Sequence, residues 1–272
     1  MIHGQFIGNR AAVGNTKSGW GGAIASKNTD SDIKIIQGNF IANNVGMGGG
    51  AIDINGKLGT VIGDFIANNA GSDGGGAIRV ENGEIGSITG DFIGNTAEKV
   101  GAIQSQVKDS GKSHYGTIYG DFIGNKATKG DGGAINNDSG SSTFDAIYGD
   151  LINNSASGNG GAINTKGKIN RVSANFIGNV ANGKGGAIYL NGTNSVAAIY
   201  ADAYGDSLFT ANKAGNVYND VYNYKGTLKL NAEAESDTKQ HTITFDGTIE
   251  GDDGSIHINS DSALNGGKYI FI

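Results

Sequence analysis

A column of acidic side chains is the first candidate for chemistry in this sequence. Each member comes directly before the apolar residue of a repeated phrase, typified by Ile-Tyr-Gly-Asp-Phe-Ile-Gly-Asn at residues 118–125. The acidic members are Asp64, Asp91, Asp121 and Asp150. Stacked copies of the phrase would place these carboxylates about 4.8 Å apart, which is the spacing of neighbouring strands. Like charges so close together are costly unless they are screened, protonated or bridged by a cation.

Two explanations of this aspartate column stay open. One is a ladder bridged by Ca²⁺, because carboxylate oxygens suit that ion. The other is a row of solvated turn aspartates that accept hydrogen bonds from glycine amides, and we favour it because aspartate is common in turns. No other cofactor is expected.

A second column lies three residues before the same apolar position and is expected to face outward. It holds Tyr119 and Tyr148 in adjacent copies, with Tyr200 as a candidate third member. Tyrosine combines apolar area with a hydroxyl, so a stripe of tyrosines could bind a sugar or a protein. Ordinary cross-strand stacking is the favoured alternative, because strands reward aromatic neighbours in any case.

Two interleaved motifs predict the elements that would position these columns. Phe-x-x-Asn, with one Leu variant, alternates with Gly-Gly-Ala-Ile, and the second motif recurs every 25–32 residues. Such a period is typical of solenoids. Short β-prone runs lie between glycine- and asparagine-rich turns, and no stretch has helical periodicity. The sequence predicts an all-β, right-handed parallel β-helix, with about eight motif-bearing coils over residues 1–216 and irregular coils over 217–272.

The repeated letters have structural roles in this arrangement. Phe65, Phe92 and Phe122 are predicted to form an internal aromatic stack. Asn68, Asn95 and Asn125 are predicted to form an amide ladder at a turn. The residues between the two apolar positions of the Gly-Gly-Ala-Ile strand are expected to face solvent; they are Asp53, Arg79, Gln104, Asn136, Asn164 and Tyr189. The isoleucine after each Phe is either exposed or marks a bend.

Composition excludes several classes of protein. The chain of 272 residues has 49 Gly but no Pro and no Cys, which rules out collagen, disulfides and thiolate metal sites. A net charge of −6 with scattered basic residues argues against a nucleic-acid partner. The start lacks the pattern of a signal peptide, and no run of 18 apolar residues occurs, so this segment is not expected to insert into a membrane. We expect a piece of a longer array.

The paired Gly-Gly-Ala-Ile and Phe-x-x-Asn motifs resemble the repeat of the chlamydial polymorphic outer-membrane proteins, over residues 1 to about 216. The resemblance implies an autotransporter passenger that is displayed on the bacterial cell surface and anchored to the outer membrane in the full-length protein. It also implies a non-enzymatic adhesin whose partner is a host protein or glycan. We expect a monomer.

Two other functions are alternatives to the adhesin. Parallel β-helices include polysaccharide lyases, which use acidic residues for Ca²⁺ and a basic residue for proton abstraction. The three arginines (Arg10, Arg79 and Arg171) form no evident cluster with acids, and the four histidines lack ligand spacing. A carbohydrate-active enzyme is therefore the less favoured alternative. A structural spacer is the third reading.

Overall fold

The computed structural model describes residues 1–12, 19–236, 239–259 and 266–272. These residues form strands and turns without a helix, and strands of successive coils pair in parallel. The predicted β-solenoid is confirmed. In the same part of the chain, no helix has the length and apolar character needed to cross a membrane.

Each full coil contributes strands to four stacks, named sheets A to D. Sheet A consists of Ile2–His3, Asp32–Gln37, Lys57–Ile62, Glu84–Thr89, Ser113–Tyr119, Ser142–Tyr148, Lys168–Ser173, Val196–Ala201, Thr227–Ala232 and Ser255–Ile258. Sheet B consists of Phe6–Ile7, Phe40–Ile41, Phe65–Ile66, Phe92–Ile93, Phe122–Ile123, Leu151–Ile152, Phe176–Ile177, Ser207–Thr210, Thr242–Phe245 and Lys268–Phe271. These two sheets meet at a sharp corner that contains the predicted aspartate column.

The other two sheets carry the remaining motif. Sheet C consists of Arg10–Ala11, Asn44–Val45, Asn69–Ala70, Thr96–Ala97, Lys126–Ala127, Ser155–Ala156, Val180–Ala181 and Lys213–Ala214. Sheet D consists of Ile24–Ser26, Ile52–Ile54, Ile78–Glu81, Ile103–Gln106, Ile135–Asn137, Ile163–Thr165, Ile188–Asn191, Val217–Tyr224 and Thr248–Asp252. An antiparallel pairing of Lys213–Ala214 with Val217–Tyr224 joins them. Ala234–Ser236 and Lys239–Gln240 form a separate hairpin.

The interior is organised around one column of stacked rings. Phe65, Phe92 and Phe122 are fully buried, and their centroids lie 4.7–4.8 Å apart with nearly parallel planes. Leu151 interrupts the column, which resumes at Phe176. Because one coil cannot cover its own apolar face, each ring is buried by the coils above and below. Full burial of each such side chain contributes roughly 1.5–3 kcal/mol.

A ladder of buried amides runs beside the rings. Asn95 Nδ2 donates to Asn125 Oδ1 at 3.0 Å in the next coil and to the Phe65 carbonyl at 2.8 Å in the previous one. The backbone N–H of Asn95 also donates to Asn125 Oδ1. Asn68 makes the same set of contacts one coil earlier. The ladder thus satisfies polar groups that turns would otherwise leave buried and unpaired.

The expectation of a solvent-facing column on sheet D was wrong for five of its six members, and the sixth, Tyr189, is half-buried. Asp53, Arg79, Gln104, Asn136 and Asn164 are all buried. The glycine-rich segments between sheets C and D lie across this face: the Gly49 N–H donates to Asp53 Oδ2, and Gly132 lies close to the Asn136 side chain. A Cβ on Gly132 would lie 2.3 Å from the Ile135 carbonyl oxygen, so glycine permits this close cover.

Candidate functional site

Tyrosine rings stack on the outer face of the corner between sheets A and B. Tyr119 and Tyr148 are register partners in adjacent sheet A strands, and each is the last residue of its strand. Their centroids lie 5.1 Å apart with planes inclined by 11°, and Tyr119 is 44% exposed. Burial raises the pKa of the Tyr148 hydroxyl above its ordinary value, against the opposing effect of the Arg171 charge. At neutral pH this hydroxyl is therefore an uncharged hydrogen-bond donor.

Tyr200 does not join this stack, contrary to the sequence-based prediction. It follows the column in register but is almost fully buried, and the Arg171 guanidinium lies 4.0 Å from its ring centroid. Ser173 occupies the intervening coil. The third ring is Tyr204, which the sequence interpretation missed. Its centroid is 4.3 Å from that of Tyr148, and it is 65% exposed.

A buried carboxylate holds the loop that carries Tyr204. Asp202 Oδ1 accepts the Tyr204 N–H at 2.8 Å, and Asp202 Oδ2 accepts the Ser173 hydroxyl and contacts Arg171 Nη2. Two backbone hydrogen bonds between Asp202 and Gly205 close the turn. The folding of residues 203–206 back across two coils could not be predicted from the sequence, because no local pattern encodes a contact with Tyr148.

The predicted aspartate column is a ladder of carboxylates bonded to backbone. Asp64 Oδ1 accepts the Asp91 N–H, Asp91 Oδ1 accepts the Asp121 N–H, and Asp121 Oδ1 accepts the Asp150 N–H, at 2.8–3.0 Å. The donors are therefore the aspartate amides of the next coil and not the glycine amides that the sequence suggested. This bonding offsets part of the repulsion between the carboxylates, because hydrogen bonds to the charged form stabilise it.

No calcium-type cluster accompanies this ladder in the described part of the chain. Among those residues, no group of three or more Asp, Glu or His side chains could hold a metal ion. In each ladder carboxylate, Oδ1 accepts a hydrogen bond from the neighbouring coil. A cation bridging the carboxylates stays a prediction.

A groove forms where the tyrosines meet the end of the aspartate ladder. Its volume is about 300 Å³. It is lined by Tyr148, Gly149, Asp150, Ser173, Ala174, Asn175, Tyr204, Gly205 and Asp206. Three successive coils each contribute the glycine or alanine of the corner and the polar residue that follows it. The arrangement offers an aromatic wall, two carboxylates and one amide to a guest.

The isoleucine after each ring faces outward beside this ladder. Ile41, Ile66, Ile93 and Ile123 are half-buried and follow one another in register along sheet B. The outer surface therefore shows parallel columns of tyrosine, aspartate and isoleucine around the A–B corner. This answers the question that the sequence left open, since the chain exposes the isoleucine in part and does not bury it at a bend.

A charged cluster under the glycine-rich cover of sheet D was also missed. Arg79 is 0% exposed; its Nε donates to Asp53 Oδ2 at 2.7 Å and its Nη1 to Glu81 Oε2 at 2.9 Å. The Trp20 ring covers the guanidinium at 4.3 Å. Lys27 bonds the other oxygen of Asp53. Because these buried charges form ion pairs with one another, we interpret the cluster as structural and not as a binding site.

Sequence comparison supports the resemblance noted above. Residues 150–166 and 173–191 match the model of the Chlamydia polymorphic membrane protein (Chlamydia_PMP) repeat. No curated protein and no solved structure matches the chain significantly. The chain therefore carries repeats of the polymorphic membrane protein type, and the matched residues contain parts of sheets A to D.

Proposed function

We propose, from the presence of polymorphic membrane protein repeats, that this chain is a segment of an autotransporter-like passenger displayed on a bacterial surface. Its function is to bind a host protein or glycan as an adhesin, without catalysis. In the full-length protein the segment would be extracellular and held at the outer membrane. The observation that carries the proposal is the exposed face of tyrosine, aspartate and isoleucine columns at the A–B corner.

Physical argument favours binding at this face. Tyrosine is enriched where partners bury large areas, because the ring adds apolar contact and the hydroxyl adds a hydrogen bond. The rings of Tyr119 and Tyr148 are fixed by the strands beneath them, so little side-chain entropy is lost when a partner docks. A monomeric rod would present this face along several coils, and a partner could contact more than one of them.

Two of the three arginines give a lyase-type mechanism little support. Arg79 is buried among carboxylates, and Arg171 is committed to Asp202 and the Tyr200 ring. A basic residue that abstracts a proton must reach the substrate directly. We therefore propose the enzyme only as a second reading, without a residue assignment.

The test is binding of the purified chain to host cells and to protein and glycan arrays. The double variant Tyr119→Ala/Tyr148→Ala is expected to lose about tenfold or more in apparent affinity, since both rings would be lost from the centre of the contact. Tyr218→Ala is the matched control, because Tyr218 is 52% exposed but lies on the Val217–Tyr224 strand of sheet D. Equal binding by all three proteins would reject this face, and no binding at all would favour the spacer.

A further inference from the structure

We infer that the groove beside the stacked Tyr148 and Tyr204 rings receives a positively charged side chain, lysine or arginine, from a partner protein. The inference rests on the proposed binding function and names the chemistry that this site selects. It concerns the groove lined by Asp150, Asn175 and Asp206, which the family resemblance does not assign.

Charge is the first argument. The groove contains the carboxylates of Asp150 and Asp206, and no basic residue is among its lining side chains. Asp206 Oδ1 accepts the Thr242 N–H and lies 3.4 Å from His241 Nδ1, so Asp150 carries most of this argument. Asp150 Oδ1 accepts two hydrogen bonds from Asn175, one from its backbone N–H and one from its Nδ2. Among the described residues, this leaves Asp150 Oδ2 for a guest. A guanidinium or ammonium group would supply donors and a compensating charge, and charge-assisted hydrogen bonds are stronger than neutral ones. The two carboxylates would repel an anionic guest.

The aromatic wall gives the second argument. Tyr204 is largely exposed, and Tyr148 lines the same groove. A cation over a tyrosine ring gains about 0.5–1 kcal/mol at exposed sites and more where water is excluded. The aliphatic stem of lysine or arginine can pack on the ring while the charged end reaches the carboxylates. The groove can therefore contact both the aliphatic stem and the charged end of one lysine or arginine side chain.

Size and rigidity give the third argument. A volume of about 300 Å³ is at the small end of ligand pockets, which suits one side chain better than an extended oligosaccharide. The loop with Tyr204 is held by the buried Asp202 through the Tyr204 N–H and Ser173. A pocket that is already formed spends little free energy on ordering when it binds.

The surroundings match a partner that is both basic and apolar. The aspartate ladder continues from Asp150 to Asp121 and Asp91 along the same corner, and the isoleucine column lies beside it. The chain as a whole has a net charge of −6. A negative surface of this kind attracts basic partners and raises their rate of association at low salt.

Fluorescence anisotropy with a labelled tetra-arginine peptide tests the inference on the whole chain. The control peptide is tetra-citrulline, which has nearly the same shape but no charge. We expect the arginine peptide to bind at least about tenfold more tightly, and added salt to weaken it. Equal binding of the two peptides would overturn the inference. Stronger binding of a neutral chito-oligosaccharide would also overturn it, provided that Asp150→Asn and Tyr204→Ala weaken that binding. This result would assign the groove to glycans.

Variants distinguish binding at the groove from general attraction to the charge of the aspartate ladder. Asp150→Asn removes the charge but retains an oxygen for the Asn175 amide, in the way that Asn39 Oδ1 accepts the Asp64 N–H. Asp64→Asn makes the same change in a coil without tyrosine. We expect Asp150→Asn and Tyr204→Ala to weaken arginine-peptide binding about tenfold, and Asp64→Asn to leave it nearly unchanged. Equal losses in Asp150→Asn and Asp64→Asn would reduce the effect to general ladder charge and overturn the inference.

The outcome is separable from that of the proposed function. Host-cell binding that needs Tyr119 and Tyr148 but is unaffected by Asp150→Asn would leave the adhesin standing and reject the cationic guest. Host-cell binding that is unchanged in Tyr119→Ala/Tyr148→Ala, together with equal binding of the arginine and citrulline peptides, would reject both.

Discussion

The residue before each ladder asparagine is determined by backbone geometry as well as by side-chain contacts. The residue before each ladder asparagine has a left-handed backbone: φ is +63° at Gly124, +52° at Ala67 and +54° at Asn153. Left-handed conformations cost an L-residue about 1–2 kcal/mol, and glycine avoids that cost. The alternation of Gly, Ala and Asn at this position shows that the fold imposes the geometry whatever the side chain.

Exchanging these residues should therefore change stability in opposite directions. A Cβ added at Gly124 has no atom within 4 Å, so Gly124→Ala meets no clash and only the conformational cost. We expect it to lower the free energy of unfolding by about 1 kcal/mol, because the reduced conformational entropy of the unfolded chain offsets part of the left-handed cost. Ala67→Gly should raise it by up to about 1 kcal/mol. Urea denaturation measures both, and two shifts of the same sign would contradict the argument.

The aromatic residues show where sequence reasoning holds and where it stops. Stacking of Tyr119 on Tyr148 follows from the register that repeated motifs enforce. Tyr200 also follows the register, but a neighbouring arginine and the adjoining loop bury it. The position of Tyr204 depends on a contact across two coils, and the bond network at Asp202 creates that contact. The repeat thus predicts columns, while insertions decide which side chains reach the surface.

At the scale of elements, turns and strands are connected by side-chain ladders. Asn125 bonds the coil before it and the coil after it: its Oδ1 accepts two donors from Asn95, and its Nδ2 donates to the Phe92 carbonyl and to Asn154. The asparagine ladder was predictable because the Phe-x-x-Asn spacing is constant. Its full burial follows from the left-handed residue that turns the side chain inward.

Removing one member should therefore leave several buried groups unpaired. We expect Asn125→Ala to lower the free energy of unfolding by about 3 kcal/mol or more, because each orphaned polar group costs about 1–3 kcal/mol. Asn69→Ala is the control, since Asn69 is exposed and its side chain donates to Asn44 Oδ1 at 3.2 Å. Chemical denaturation compares the two. Similar small losses would mean that water replaces the ladder bonds.

The charged cluster beneath Trp20 gives sheet D a dependence on pH. Desolvation acts to raise the pKa of Glu81, but the hydrogen bond from Lys108 and the charges of Arg79 and Lys108 outweigh it and hold the pKa below its ordinary value. The sequence could not predict this, because the burial of the column depends on the glycine-rich cover. A carboxyl with a lowered folded-state pKa stabilises the fold above its unfolded pKa, and the stabilisation is lost as pH falls through the folded value.

Glu81→Gln should remove this contribution. At pH 7 we expect the variant to be about 2 kcal/mol less stable than the parent, the scale of hydrogen bonds to charged groups. The difference should shrink as pH falls from near 4.5, the ordinary value for glutamate, towards the folded pKa and below it. Glu84→Gln is the control, because that carboxylate is 47% exposed. Thermal melts from pH 7 to pH 3 would refute the argument if the gap between parent and Glu81→Gln stayed constant.

At the scale of the whole molecule, stability is a sum over neighbouring coils. Hydrogen bonds, rings and ladders all join a coil to the one before and the one after, and few contacts reach farther. Such a rod approximates a one-dimensional array with nearest-neighbour terms. The tyrosine groove spans three of these coils, so local opening there would dismantle it without unfolding the molecule.

A cavity in the middle of the rod should therefore have a local effect. Phe122→Ala removes a fully buried ring between Phe92 and Leu151, and we expect it to cost about 3–5 kcal/mol. Native-state hydrogen exchange should show the greatest loss of protection in the coils on either side, with the coils of Phe40 and Phe245 much less affected. Ile123→Ala, on the half-exposed face of the same strand, should cost less and leave the pattern unchanged. An equal loss of protection in every coil would show instead that the rod opens as one cooperative unit.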